Sequence, residues 1–262
     1  MNDFLKEIIE LKNKRLAKSK ADADSAGLRE KAFAVRAQSD QHRLCEVLKK
    51  NQINIIAEIK RASPSKGIIN DKIDVTELAE IYEKGGACAI SVLTEEDKFK
   101  GSLDDLKTAR KAVGIPILRK DFIFDDFQIF EAAEAGADAV LLIAAMLGDE
   151  ALARFYDLIE NILGMDALVE VHNLEELERV KKLGAKIIGI NNRDLRSFKV
   201  SLDVSRELIK HAPSDALLIT ESGLSSKKEI RELRELGFSG FLIGETMMRS
   251  GNVEAELRKL SE

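Results

Sequence analysis

EAGADAVLL, residues 134–142, closes one element and opens another: a glycine ends a helical pattern and an apolar run follows at once. The same join recurs as KGGACAISV (84–92), KLGAKIIGI (182–190) and ELGFSGFLI (235–243). Its glycines, Gly86, Gly136, Gly184 and Gly237, stand 50, 48 and 53 residues apart. Such a period signals a repeat architecture, and each period here holds two strand–helix units. Strands are predicted at 54–60, 87–93, 116–120, 138–143, 166–171, 186–191, 216–221 and 239–243. Amphipathic helices lie between them, as in LEELERVKKLG, where Leu174, Leu177, Val180 and Leu183 form one apolar stripe.

Near-continuous apolar strands imply burial on both faces, hence a parallel sheet covered by helices. Eight such units in 262 residues point to an α/β fold, a single (β/α)8 TIM barrel. An open doubly wound sheet is the structural alternative. Residues 1–50 fall outside the repeat and read as a helical extension of one or two helices packed on the barrel. Residues 51–262 form the barrel, the whole being one domain.

With 41 Lys and Arg against 46 Asp and Glu, the net charge is −5, the wrong sign for a general nucleic-acid binder. No apolar run approaches the roughly 20 residues needed to span a bilayer. The N-terminus is charged and lacks the apolar core of a secretory signal. Cys45 and Cys88 show neither metal spacing nor a disulfide framework, and His42, His172 and His211 are too scattered for a metal motif. The expectation is a cytoplasmic protein with no metal site and no nucleic-acid or membrane partner. The oligomeric state is open, and a monomer is compatible.

NIIAEIKRASPSKG (54–67) puts Glu58, Lys60 and Arg61 at the end of an apolar strand. Alternate residues of a strand share a face, so Glu58 and Lys60 point the same way. In a barrel, strand C-termini form the mouth where active sites are built. Other strands also end in polar groups: Arg119, Lys120 and Asp121; Glu170; Asn191, Asn192 and Arg193; Glu221 and Ser222. An isolated charged strand end reads as a solvated loop, but convergence of five at one rim points to a site. Lysine there can serve as acid, anion anchor or Schiff-base nucleophile, and glutamate as base. ESGLSS and LIGETMM follow the last two strands, where barrels often bind phosphate through backbone N–H groups. His172 reads as a structural hydrogen-bonder beside Glu170.

IIAEIKRASPSKG, SVLTEEDKFKGSLDDL, ILRKDFIFDDFQIFEAAEAGADAVLLI, ALVEVHNLEEL, IGINNRDLRSF, ITESGL and FLIGETMMR resemble, in order and spacing, the indole-3-glycerol-phosphate synthase family. The likeness runs from about residue 50 to the end. Residues 1–50 match the family's helical extension, which lies against the barrel mouth, only in character. The resemblance implies a lyase of tryptophan biosynthesis acting on 1-(2-carboxyphenylamino)-1-deoxyribulose 5-phosphate without a cofactor. It implies Lys120 as general acid at the ketone oxygen and Glu170 as base in dehydration. Glu58 and Asn191 position the reacting groups, and Lys60 holds the substrate carboxylate and assists dehydration. Arg193, Glu221 and Ser222 line the same pocket. Gly223, Gly244 and Glu245 hold the phosphate, with Ser63 closing over it, and Phe99, Phe122 and Leu195 pack the anthranilate ring. Lys100 and Ser201 depart from the family pattern, and neither touches this chemistry. Three rival readings are another phosphate-binding barrel enzyme such as phosphoribosylanthranilate isomerase, a Schiff-base aldolase and a non-catalytic binding barrel.

Overall fold

The computed structural model describes residues 3–22 and 24–261. Eight parallel strands close into a barrel: β1 (Asn54–Ile59), β2 (Ala89–Leu93), β3 (Ile117–Lys120), β4 (Ala139–Ile143), β5 (Asp166–Val171), β6 (Ile187–Asn191), β7 (Leu217–Glu221) and β8 (Gly240–Ile243). Each strand pairs with its sequence neighbour, and β8 closes on β1 with Ile55 opposite Phe241. The closed barrel replaces the open-sheet alternative. The predicted strands shift at their ends by no more than two residues.

The helices are α1 (Asp3–Asp22), α2 (Ser25–Ala37), α3 (Arg43–Leu48), α4 (Val75–Lys84), α5 (Leu103–Ala112), α6 (Asp126–Glu134), α7 (Asp149–Asp157), α8 (Leu174–Leu183), α9 (Asp203–Leu208), α10 (Lys227–Leu236), α11 (Glu245–Met248) and α12 (Val253–Ser261). Local chemistry sets several starts. Asp74, Ser102, Asp125, Asn173 and Ser226 each accept a first-turn N–H, and Ser226 with Glu229 forms a full capping box. A π-turn (Leu158–Ile162) extends α7. Between β1 and α4 a small antiparallel ribbon pairs Ala62–Ser63 with Gly67–Ile68, an element the sequence reading did not contain.

Strand parity divides the apolar residues into two layers. Ile55, Ala57 and Ile59 face outward onto the helices, as do Val140, Leu142, Val169 and Val171. Ile56, Leu118, Leu141, Leu168, Ile187, Ile219 and Leu242 fill the barrel interior. The N-terminal segment contributes three helices, one more than expected, and serves both ends. α3 closes the N-terminal face, with Leu44 and Leu48 buried in the inner cluster and Asn54 Nδ2 donating to Leu48 O at 3.1 Å. α1 lies at the opposite end, where Phe4 lines the mouth.

Candidate active site

The parity that fills the interior also builds the site. Leu118 faces inward, so Lys120 does; Leu168 brings Glu170, Ile187 brings Asn191, Ile219 brings Glu221 and Ile56 brings Glu58. In these five inward rows an apolar residue lies below the polar group at the mouth. The result is a cavity of about 810 Å³ at the C-terminal ends of the strands. Every candidate named from the sequence lines it: Glu58, Lys60, Ser63, Phe99, Lys120, Phe122, Glu170, Asn191, Arg193, Leu195, Glu221, Ser222, Gly223, Gly244 and Glu245.

Lys120 stands at its centre. Its Nζ donates to Glu170 Oε2 at 2.8 Å and lies 3.0 Å from Glu221 Oε2. Burial alone would favour the neutral amine, but Glu170, Glu221 and Glu58 outweigh it and raise the pKa above the usual lysine range. The two carboxylates diverge. Burial pushes both up, but Lys120 and His172 bring Glu170 below the ordinary carboxylate range. Glu221 is pushed up to about 7 by burial, with Glu170 adding to the shift and Lys120 opposing it. Glu221 Oε2 meets Lys120 as an ion pair, and neither Glu221 oxygen has a hydrogen-bond partner of regular geometry. Gly189 makes room for this side chain, since a Cβ there would collide with Glu221 Oε1.

Glu58 and Lys60 form a second ion pair beside the first. Gly244 is tied to it: a Cβ at this position would strike the Glu58 side chain, with Cβ and Cδ each 3.0 Å away. The glycine thus has a steric reason independent of any phosphate. Asn191 accepts the Arg193 N–H at 3.0 Å. Arg193 Nη1 then reaches Ser65 Oγ at 3.2 Å, joining the loop after β6 to the SPSKG loop. Asn192 has turned away into a structural clamp, donating to Thr220 Oγ1, Glu221 O and Ser222 O. Ser222 and Gly223 both have left-handed backbone (φ 67° and 86°), an uncommon state for serine.

The opposite wall is apolar. Phe99 and Phe122 pack with ring centroids 6.1 Å apart, and Leu195 lies nearby on the lining. Phe4 of α1 meets Phe122 at 6.1 Å and Phe198 at 5.2 Å, both edge to face. Phe4 and Phe198 escaped the sequence reading. One is an ordinary apolar position on an amphipathic helix, the other the last residue of the IGINNRDLRSF stretch, to which no role was given.

Two rim charges prove structural. Arg119 points out of the barrel and donates to Gln128 O at 2.6 Å and Asp121 Oδ2 at 3.1 Å. Asp121 is wholly buried and binds Lys12 of α1 at 2.6 Å and Thr94 at 2.7 Å. His172, just past the end of β5, stands beside the site with Nε2 3.2 Å from Glu170 Oε1 and Nδ1 3.2 Å from Glu176 Oε2. Burial opposes its charge, but the two glutamates push it up to about 10. Among the described residues one group could hold a metal, His42, Glu160 and Asp166, and it lies at the N-terminal end of the barrel.

The barrel alone is shared widely. The N-acetylmannosamine-6-phosphate 2-epimerase of Clostridium perfringens superposes with a TM-score of 0.62 at 16% identity, covering 80% of this chain and 92% of that one. A thiamine phosphate pyrophosphorylase from Pyrococcus furiosus gives 0.57 at 18%, covering 83% and 95%. At such identities the likeness is one of fold. Sequence relatives are more specific. Indole-3-glycerol phosphate synthase of Carboxydothermus hydrogenoformans is 44% identical over 258 residues, covering 94% of this chain and 95% of the relative. That of Neisseria meningitidis serogroup C is 43% identical over 263, covering 99% and 100%. The Acetivibrio thermocellus protein of the same name is 49% identical over 213, covering 81% and 82%. The family model described as indole-3-glycerol phosphate synthase matches residues 5–260, taking in most of α1 and every barrel strand, and the chain belongs to that family.

Proposed function

We propose that the protein is a carboxy-lyase that closes the indole ring of 1-(2-carboxyphenylamino)-1-deoxyribulose 5-phosphate, giving indole-3-glycerol phosphate, carbon dioxide and water. The observation that carries this reading is Lys120, held charged between two carboxylates of opposite protonation tendency and facing an apolar wall. The aromatic carbon that bears the carboxylate attacks the ketone carbon. As the carbonyl π-bond breaks, Lys120 delivers its proton to the oxygen. Its proton is held more tightly than a free lysine's, but a developing alkoxide is the stronger base and takes it. Carbon dioxide then leaves with its bonding electrons returning to the ring system. The new hydroxyl takes a proton from Lys60 and departs as water, while Glu170, ionised at rest, accepts the proton released as the double bond forms.

Lys60, balanced by Glu58, neutralises the substrate carboxylate. Phe99, Phe122 and Leu195 hold the aromatic ring, and Asn191 and Arg193 fix the loop beside the reacting centre. Ser222 and Glu221 complete the pocket. The phosphate meets backbone N–H groups at Gly223, Gly244 and Glu245, with Ser63 and the SPSKG loop above it. A Schiff-base role for Lys120 fits less well, because that chemistry needs a neutral amine and the surrounding glutamates favour the ammonium.

The test is the appearance of indole fluorescence on adding the anilino-deoxyribulose phosphate. Turnover should persist in EDTA. No fluorescence from folded protein, or loss in EDTA restored by a divalent ion, would overturn the reading. Borohydride should trap no covalent adduct at Lys120.

A further inference from the structure

The N-terminal end of the barrel carries a cluster that ring closure does not use. Asp166 opens β5, Glu160 lies in the π-turn just before it and His42 precedes α3. None of the three lines the mouth cavity. Glu160 and Asp166 are 2% and 0% exposed. Two buried carboxylates in proximity repel each other and lose hydration, so the pair calls for a cation.

The oxygens that face His42 are aimed by backbone bonds. Asp166 Oδ2 accepts from Leu44 N at 2.8 Å and Cys45 N at 3.1 Å. That leaves Oδ1, buried and without a hydrogen bond, 3.4 Å from His42 Nδ1. Glu160 Oε1 accepts from Ala167 N at 2.9 Å, which turns Oε2 toward the same nitrogen at 3.6 Å. His42 Nδ1 is itself buried without a hydrogen-bond partner. His42 has left-handed backbone (φ 52°), and its N–H donates to Gly164 O at 3.2 Å. The three ligand atoms all lie within 4.8 Å of one another. Separations of 3.4 and 3.6 Å are long for hydrogen bonds. They match the edges of a metal tetrahedron, because bonds of about 2.0–2.2 Å put ligand atoms roughly 3.3–3.6 Å apart.

We propose that His42 Nδ1, Glu160 Oε2 and Asp166 Oδ1 bind a divalent transition-metal cation of the Zn²⁺ class, with solvent as fourth ligand. One imidazole and two carboxylates suit zinc or cobalt better than calcium or magnesium, which prefer oxygen alone. Lys186 Nζ, 2.9 Å from Glu160 Oε2 and on a half-exposed side chain, is the competing cation that the metal displaces. His42 is partly exposed and gives the ion a route in. Bound there, the metal ties α3 to the π-turn and β5, so its effect falls on stability and leaves catalysis untouched.

Full-length protein, stripped with chelator, is titrated with Zn²⁺ by calorimetry and with Co²⁺ by visible absorption. One equivalent should bind, raise the thermal midpoint and give the intense visible bands of four-coordinate cobalt. His42→Asn removes the imidazole while keeping a residue that tolerates left-handed backbone. It should bind Zn²⁺ at least tenfold more weakly, lose the thermal shift and retain indole formation. Lys186→Met removes the competing ammonium and should tighten Zn²⁺ binding. Cys45→Ser should bind as the parent does. The proposal is overturned by absence of saturable binding, by undiminished affinity in His42→Asn, by weaker binding in Lys186→Met, or by loss of the site in Cys45→Ser.

Discussion

Lys120 and Lys60 are both rim lysines, but the roles proposed for them differ. Lys120 contacts two glutamates and Lys60 one. A general acid contributes about 10²–10⁴ in rate, so Lys120→Arg should lower kcat by that order. Arginine keeps the charge that balances Glu170 and Glu221, so folding is preserved, but it is a poor proton donor near neutral pH. Lys120→Met should be similarly inactive and less stable, because it strands two buried carboxylates. Lys60→Met should raise KM, and Lys60→Arg should recover part of the affinity. Restored turnover in Lys120→Arg, or unchanged KM in Lys60→Met, would reverse the assignment. His172 gives a pH prediction. Its folded pKa, about 10, lies above the ordinary 6.5, so its stabilising charge is fully present below 6.5 and lost as pH rises toward 10. The stability gap between the parent and His172→Gln, measured by urea unfolding, should therefore narrow from pH 6 to pH 10. A gap independent of pH would mean that His172 acts by packing alone. Their place at strand ends made Lys120 and Glu170 legible from the sequence. Parity in the barrel separates Lys120 from Arg119, a distinction that a list of charged strand ends misses.

At the scale of elements, α1 forms the lid side of the cavity. Lys12 binds buried Asp121, while Lys20 pairs with Asp125 at 2.6 Å, Lys98 with Glu7 at 2.6 Å and Arg15 with Glu96 at 3.1 Å. Most of these pairs are exposed enough for salt to weaken them, with a Debye length of about 3 Å at 1 M. Amide exchange in α1 should therefore quicken with ionic strength, and Lys12→Met should quicken it further. Phe4→Ala should raise KM several-fold through the lost ring contact. Equal protection of α1 at low and high salt would remove the electrostatic part of this account. No pattern in residues 1–50 could reveal this docking, because a helix that packs on a mouth has the same apolar stripe as one that packs on a flank. The LIGET loop is a mixed case. Its glycine was legible, but the steric demand of Glu58 on Gly244 comes from another strand. Gly244→Ala should lower kcat by displacing Glu58, with inhibition by inorganic phosphate less affected. If phosphate inhibition falls and kcat does not, the loop acts on the anion alone.

The whole molecule was legible because its repeat is written twice over, in helix-ending glycines and in strand length. The closure of the far end was not. α3 meets Asp166 and Glu160 across more than a hundred residues, and nothing local in HRLCEVL or ENILGMD announces the contact. A consequence follows from the alternation inside β3. If that strand paired one residue out of step, Arg119 would enter the mouth and Lys120 would face the helices. Net charge, size and helical content would be unchanged. Such a species would co-purify with the active enzyme and look sound by chromatography or circular dichroism. Counting competent sites with a tight-binding substrate analogue, and comparing that count with the protein concentration, is how a preparation of this barrel should be judged.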